Sequence, residues 1–177
     1  QVCAHGFLTV DGKKMSKSDG NSIMPEELFT GNSPHSTKGY SPMAVRFFML
    51  QTHYRSTLDL TDEALQAAEK GYRRLMEAYA TLQALPFSGG ATGAQVKEWI
   101  SSVHEEMDND FNTPKALARL FEIVSRVNSW KGGQVSMEGL SEATFSELKT
   151  TFHTFLFDIF GLQDEVAAGS DDGFKTI

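Results

Sequence analysis

Apolar residues recur along most of this chain at alternating intervals of three and four, the spacing of one face of an α-helix. The clearest run is Leu65, Ala68, Tyr72, Leu75, Tyr79 and Leu82, a seam suited to lying along another helix. Thr61 stands ahead of it as a cap, Asp62 and Glu63 sit at the positive end of its dipole, and Pro86 stops it. Val96, Trp99, Ile100, Val103 and Met107 predict another amphipathic helix, ending at Asp108-Asn109-Asp110. Leu117, Leu120, Phe121, Val124 and Val127 predict the next, with Thr113 as cap, Pro114 as first helical residue and Gly132-Gly133 as the break. Phe145, Leu148, Phe152, Phe155 and Ile159 place a last helix between Ser141 and Gly161.

Ahead of residue 61 the pattern is shorter and less regular. Gln1 to Val10 reads as an apolar, strand-like segment running into an Asp11-Gly12 turn. Pro25, Glu26 and Glu27 look like a helix start. Ser41-Pro42 caps and opens a helix through Met43, Phe47, Phe48 and Leu50, apolar around much of its circumference and so expected to be largely buried. Gly31 to Tyr40 is a polar loop, and Thr57 to Leu60 a turn or short extended piece. No run of strands able to build a sheet is legible. The expected fold class is mainly α: a short irregular module, then an antiparallel helical bundle. The expected division is a front module at 1–60, the bundle at 61–165 and a mobile acidic tail at 166–177.

The 177 residues include 40% apolar types, with 13 Phe and 7 Met, enough for a packed core. Net charge is −7, which argues against wholesale wrapping of nucleic acid. The charge is uneven, however: no acidic residue lies between Leu28 and Leu58, where Lys38, Arg46, Arg55, His35 and His53 are found. That stretch reads either as a local basic surface facing RNA or as a loop and helix with no use for carboxylates. Cys3 is the single cysteine, so no internal disulfide can form, and a reducing, cytoplasmic setting is expected. The five histidines are scattered, without the short spacings of a metal site, so none is expected here. No membrane-spanning apolar run is present.

Chemistry concentrates in Lys14-Met15-Ser16-Lys17-Ser18. Two ammonium groups and two hydroxyls in five residues suit a loop folding over a polyanion such as nucleotide phosphates. The bland alternative is a solvated hairpin tip. The string is identical to the KMSKS signature of class I aminoacyl-tRNA synthetases. Three further strings resemble the cysteinyl-tRNA synthetases within that class: His5-Gly6-Phe7, His53-Tyr54-Arg55-Ser56, and Met107 to Pro114 (MDNDFNTP). The last is the most discriminating, and its residues favour a structural turn and cap over an aspartate cluster for catalysis. Asp19, where the family often has an apolar residue, and the long loop from Gly31 to Ser41 depart from the pattern.

The resemblance implies a KMSKS and stem-contact module leading into a DALR-type, anticodon-binding-like bundle. It implies a ligase that activates cysteine with ATP and Mg2+ and passes it to tRNA(Cys), as a monomer and away from membranes. Lys17 then neutralises the departing pyrophosphate, with Lys14 second. Met15, Ser16 and Ser18 complete the ATP-binding loop, Met15 by packing and the serines by bonding phosphate or by shaping the turn. Arg46, Arg55, Lys70, Arg73 and Arg74 are the candidate tRNA contacts. The nucleotide-binding sheet with its His-Ile-Gly-His-type motif and the Zn2+ ligands of the family are not in this sequence. The chain therefore reads as an excised piece, inactive alone, with Zn2+ expected only in the full-length parent. Two other readings stand beside this one: a non-catalytic helical interaction or RNA-binding module, and a cysteine-activating ligase acting on a small amine.

Overall fold

The computed structural model describes residues 6–18, 20–89, 94–137 and 140–165. The readings of Cys3, His5, Asp19 and the 166–177 tail lie outside those residues. The front module contains a small sheet that the hydrophobic pattern does not reveal. Strands β1 (Leu8–Val10), β2 (Lys13–Lys14) and β3 (Leu58–Leu60) lie in the order β2-β1-β3. Thr9 pairs with Lys14 and Val10 with Lys13 in the antiparallel hairpin. Leu8, Thr9 and Val10 pair in parallel with Leu58, Asp59 and Leu60. The expectation of no sheet is thus corrected. Strands of two or three residues are too short for alternation to register, and the β1–β3 pairing spans nearly fifty residues of intervening chain.

The helices follow their caps. They are α1 (Pro25–Thr30), α2 (Pro42–Leu50), α3 (Asp62–Ala84), α4 (Ala94–Asp108), α5 (Thr113–Lys131) and α6 (Glu142–His153). Ser41 Oγ accepts from the Ala44 amide at 3.1 Å and Thr61 Oγ1 from the Ala64 amide at 3.2 Å. Ser141 Oγ likewise accepts from the Thr144 amide at 3.2 Å. The start of α5 differs from expectation: Asn112 is the cap, accepting from the Lys115 amide at 3.3 Å. Thr113 is the first helical residue, and its hydroxyl donates to Leu50 O at 2.8 Å. Two adjacent residues could each cap, and the one whose hydroxyl closes the end of α2 is released from that duty.

A second correction concerns the last helix. Beyond His153 it widens into a π-helical segment, Thr154–Ile159, closed by the Phe160 amide on Phe155 O at 2.9 Å. A wider turn rotates the following side chains away from the 3.6-residue face, so Ile159, expected inside, is 42% exposed. Phe155 is buried as expected, and Leu156 and Phe160 take the interior beside it. Gly161, at φ 60°, ends the element.

One core runs from Val10 in β1 to Leu162. Helix α3 packs against α2, α5 and α6, and α4 packs against α5 and α6. Phe47 of α2 sits at the junction of the two regions, 6.4 Å from the Tyr72 ring and 6.3 Å from Phe121. Gly71 permits that approach, since a Cβ there would come within 2.9 Å of the Phe47 ring. Helix α2 is less enclosed than its composition suggests: Ala44, Val45, Phe47 and Phe48 are buried, while Arg46 and Met49 face outward.

Candidate functional site: the lysine-bearing hairpin and its supports

The β1–β2 connection is a two-residue turn in which both central residues take positive φ, Asp11 at 50° and Gly12 at 76°. Asp-Gly suits such a turn, whose twist matches that of the flanking strands. A pair this short does not hold itself in water, and its supports are polar. Asp59 of β3 accepts from the Thr9 hydroxyl at 2.6 Å and from the Gly12 amide at 2.9 Å. These two bonds, the hydroxyl first, hold the Asp59 carboxyl below the usual range. On the opposite side His35 Nδ1 donates to Asp11 Oδ2 at 2.8 Å.

The signature itself forms a loop closed by Asn21. Asn21 Oδ1 accepts from the Ser16 amide at 2.8 Å, and its Nδ2 donates to Lys14 O at 3.0 Å. The Ser16 and Ser18 hydroxyls lie 2.6 Å apart, and the Gly20 amide donates to Lys17 O at 3.3 Å. The Met15 amide reaches Leu8 O at 3.1 Å, and its side chain packs against the core. Lys13, Lys14 and Lys17 are exposed, and no ion pair joins them to a carboxylate among the described residues. Lys14 Nζ lies 5.4 Å from the Phe7 ring centre. A cleft of about 540 Å³, lined by Val10, Asp11, Lys13, Lys14, Asn21 and His35, opens beside the hairpin. Ammonium donors around such an opening can draw and hold a multivalent anion.

The cations of the acid-free stretch meet carboxylates and carbonyls brought from elsewhere in the chain. Lys38 and Arg73 share Glu69, at 2.5 and 3.0 Å. Arg46 Nε donates to Phe160 O at 2.6 Å, tying α2 to the end of the bundle. Arg55 donates to the Tyr54 hydroxyl at 2.8 Å and to Asp110 at 3.1 Å. Lys70 is exposed on α3, and Arg74 lies over the Phe121 ring at 5.7 Å. The stretch is acid-free along the chain and not in space. Lys70, Arg73 and Arg74, spaced three and four apart on α3, remain on its exposed side.

Two of the quoted strings come together. Asp110 accepts from the Tyr54 hydroxyl at 2.6 Å, and its carbonyl accepts from His53 Nε2 at 3.2 Å. Its carboxylate raises the Tyr54 hydroxyl above the ordinary phenol range. Asp110 and Phe111 both take positive φ, 62° and 51°. Asp62 is a further organising residue. It accepts from the Thr37 amide at 3.0 Å, the Thr37 hydroxyl at 2.8 Å, the Tyr40 hydroxyl at 2.6 Å and Gln66 at 2.9 Å. The sequence pattern assigns no role to Asn21 or Asp59, counts His35 only within the acid-free stretch, and reads Asp62 only as a helix-dipole acid. Each is a single polar residue in a turn, at an element's edge or, for Asp59, in a three-residue strand, where periodicity carries no information.

Two family models match the chain in order: the tRNA synthetases class I (C) catalytic domain over residues 2–70 and the DALR domain over residues 102–163. Among curated relatives, the cysteine–tRNA ligase of Parabacteroides distasonis is 45% identical over 94% of this chain and 33% of its own length. That of Porphyromonas gingivalis is 41% identical over 96% of this chain and 34% of its length. That of Chlorobaculum tepidum is 33% identical over 93% and 32%. The chain thus spans about a third of the curated relatives it matches. A solved LeuRS–tRNA–LeuAMS ternary complex from Agrobacterium radiobacter K84 shares the fold, with TM-score 0.51 and 20% identity over 93% of this chain and 23% of that one. Among the described residues no helix is long and apolar enough to cross a membrane, and no group of three or more His, Cys, Asp or Glu side chains could hold a metal ion.

Proposed function

Because the chain belongs to the cysteine–tRNA ligase family, we propose that it supplies the pyrophosphate-handling loop and RNA-supporting helices of an enzyme that joins cysteine to tRNA(Cys). The reaction has two steps. Cysteine and Mg2+-bound ATP give cysteinyl-adenylate and pyrophosphate, and the acyl group then moves to the 3′ end of the tRNA. Bond breaking in the first step builds negative charge on the departing pyrophosphate. A loop whose ammonium groups meet that charge as it forms accelerates the step, because the interaction strengthens toward the transition state. Lys17 takes this role, with Lys14 beside it, and the serine hydroxyls are available to the same oxygens.

The observation that carries the reading is the pairing of exposed Lys14 and Lys17 with a loop that Asn21 closes and Met15 anchors. Backbone order around mobile lysine stems places the charges without immobilising them. On the RNA side, Lys70, Arg73 and Arg74 on α3, together with Arg46 and Arg55, form the proposed contact with the tRNA backbone. Such contacts carry salt dependence more than sequence choice.

A chimera tests both parts. This chain replaces the matching segment of the Parabacteroides distasonis ligase, and cysteine-dependent ATP–pyrophosphate exchange is measured. Lys17→Ala is expected to slow exchange about a hundredfold or more, the cost of losing a donor aimed at transition-state charge, with cysteine binding retained. Unchanged exchange removes Lys17 from the mechanism. Reversing Arg55 and Arg73 to Glu is expected to weaken tRNA binding and flatten its salt dependence while leaving exchange alone.

A further inference from the structure

The loop from Gly31 to Gly39 is more ordered than its polar composition requires. Its two ends touch: a Cβ on Gly31 would meet the Gly39 amide nitrogen at 2.5 Å, and a Cβ on Gly39 would meet Phe29 O at 2.4 Å. Only glycine fits at either side of this neck, and Gly31 also takes φ 75°. The Tyr40 amide closes the neck on Leu28 O at 2.9 Å. A compact loop with adjoining ends and its own internal bonds is an Ω-loop, a form often kept for function.

Beyond the neck the loop is fastened at both extremities. Thr37 and the buried Tyr40 bond to Asp62 in the first turn of α3, and Lys38 bonds to Glu69 about two turns further along. At the other extremity His35, whose amide is held by Ser33 Oγ at 3.2 Å, grips Asp11 at the turn of the signature hairpin. Asp11 lies three residues before Lys14. The loop therefore spans from the first helix of the bundle to the tip that carries the lysines.

We infer that this loop is a brace that registers the lysine-bearing hairpin against α3, and that His35 is its positioning residue, acting through Asp11. The inference rests on the reading that the hairpin handles phosphate. In this scheme His35 acts through Asp11 and not on the reacting atoms. It limits the positions the hairpin samples, so that Lys14 and Lys17 reach the phosphates from one orientation. A single exposed bond to a carboxylate by itself contributes little. This one matters because the hairpin has only two paired residues on each strand, so each external tether is a large share of what holds it.

The geometry specifies the conservative variant. In histidine, Nδ1 is two bonds from Cβ, as Nδ2 is in asparagine, so His35→Asn can still donate to Asp11 whereas His35→Ala cannot. Amide hydrogen exchange on the intact chain reads the hairpin directly through the Met15 amide. His35→Ala is expected to speed exchange there about three- to tenfold, the effect of losing one charge-assisted bond from a locally opening unit. The chemical-denaturation midpoint stays where it was. His35→Asn restores slow exchange. In the ligase chimera, His35→Ala is expected to lower kcat for ATP–pyrophosphate exchange several-fold with KM for ATP little changed, and His35→Asn to return it.

Two results overturn the inference: Met15 exchange and kcat for ATP–pyrophosphate exchange unmoved by His35→Ala, or a fall in the denaturation midpoint with all core amides exchanging faster together. The proposed function fails differently, by an inert Lys17→Ala. The brace can then still be seen in the exchange data.

Discussion

The two ends of this chain hold their shape by different physics. From α3 onward, helices of 12 to 23 residues lie against one another through side chains such as Leu65, Leu75, Leu82, Leu120 and Phe152, all fully buried. Ahead of α3 no element exceeds nine residues, and the arrangement depends on a few polar side chains that each collect several partners. Asp59, Asp62 and Asn21 do this for the hairpin and loop, and Asp110 reaches back from beyond α4 to hold His53 to Arg55. Apolar packing is broad and insensitive to small displacements of direction. Polar hubs are narrow and directional, so they fix the orientation of a few groups at defined points. The regions share one core, so the dependence should run one way: the front needs the bundle more than the bundle needs the front.

The largest test of that asymmetry is Phe152→Ala. Phe152 is fully buried and lies parallel to the Tyr79 ring at 6.5 Å. Emptying that site should cost about 3–5 kcal/mol, the transfer loss plus the cavity left behind. Urea unfolding followed by far-ultraviolet circular dichroism measures it. The hairpin amides should lose their protection along with the helical ones, because Val10 and Leu60 rest on the same core. Hairpin protection that survived loss of the helices would show that the front stands alone.

Asp62→Ala strikes the opposite side. It takes the carboxylate from the exposed Thr37 donors and from the buried Tyr40 hydroxyl, which keeps only the Asp62 carbonyl at 3.3 Å, and losing bonds to a charged acceptor there should cost about 1–3 kcal/mol. The loss should be local, with exchange of the Thr37 amide rising while α5 amides hold. The same hub sets a pH window. Burial pushes the Asp62 carboxyl up, but the bonds from Tyr40, Thr37 and Gln66 outweigh it and bring it from 3.8 to about 2. Its contribution is therefore complete above pH 3.8 and fades as pH falls toward 2. Burial first, then Asp62, pushes the Tyr40 hydroxyl up to about 12 from 10.0. That contribution is complete below pH 10 and fades as pH rises toward 12. Exchange of the Thr37 amide against pH, with α5 amides as reference, should show both limits.

This division also explains what could be read from the residues in advance. The helices announced themselves because periodicity and caps are local: Thr61 and Ser141 each stand one residue ahead of a helix and cap it. The Asn112 cap was missed because Thr113, beside it, satisfies the same rule and is diverted to Leu50. The π-helical segment has no residue signature, and it alone turned Ile159 outward. The lysines of the candidate site were legible as a string. Their supports were not, because Asp59 and His35 work through contacts 47 and 24 residues away along the chain, and a lone acid in a three-residue strand or a lone histidine in a loop carries no periodic trace.

The smallest expected effect sharpens the comparison most, since it removes the same residue type. Phe111 is 64% exposed and holds φ 51° at the entry to α5. Substituting glycine forfeits the contacts of a side chain that is only one-third covered, worth well under the roughly 1.5–3 kcal/mol of a fully buried ring. It also loosens the unfolded chain, at about 0.5–1 kcal/mol. Against these losses it relieves a left-handed backbone that costs a side-chain-bearing residue about 1–2 kcal/mol. Phe111→Gly should therefore change stability by about 0.5 kcal/mol or less, near a tenth of the Phe152→Ala loss. Phe111→Ala keeps the strain while shedding the ring, and should lie about 1 kcal/mol below the glycine variant. Equal midpoints for alanine and glycine would mean that the backbone at Phe111 stores no strain, and that the turn before α5 is shaped by the Asp110 bonds alone.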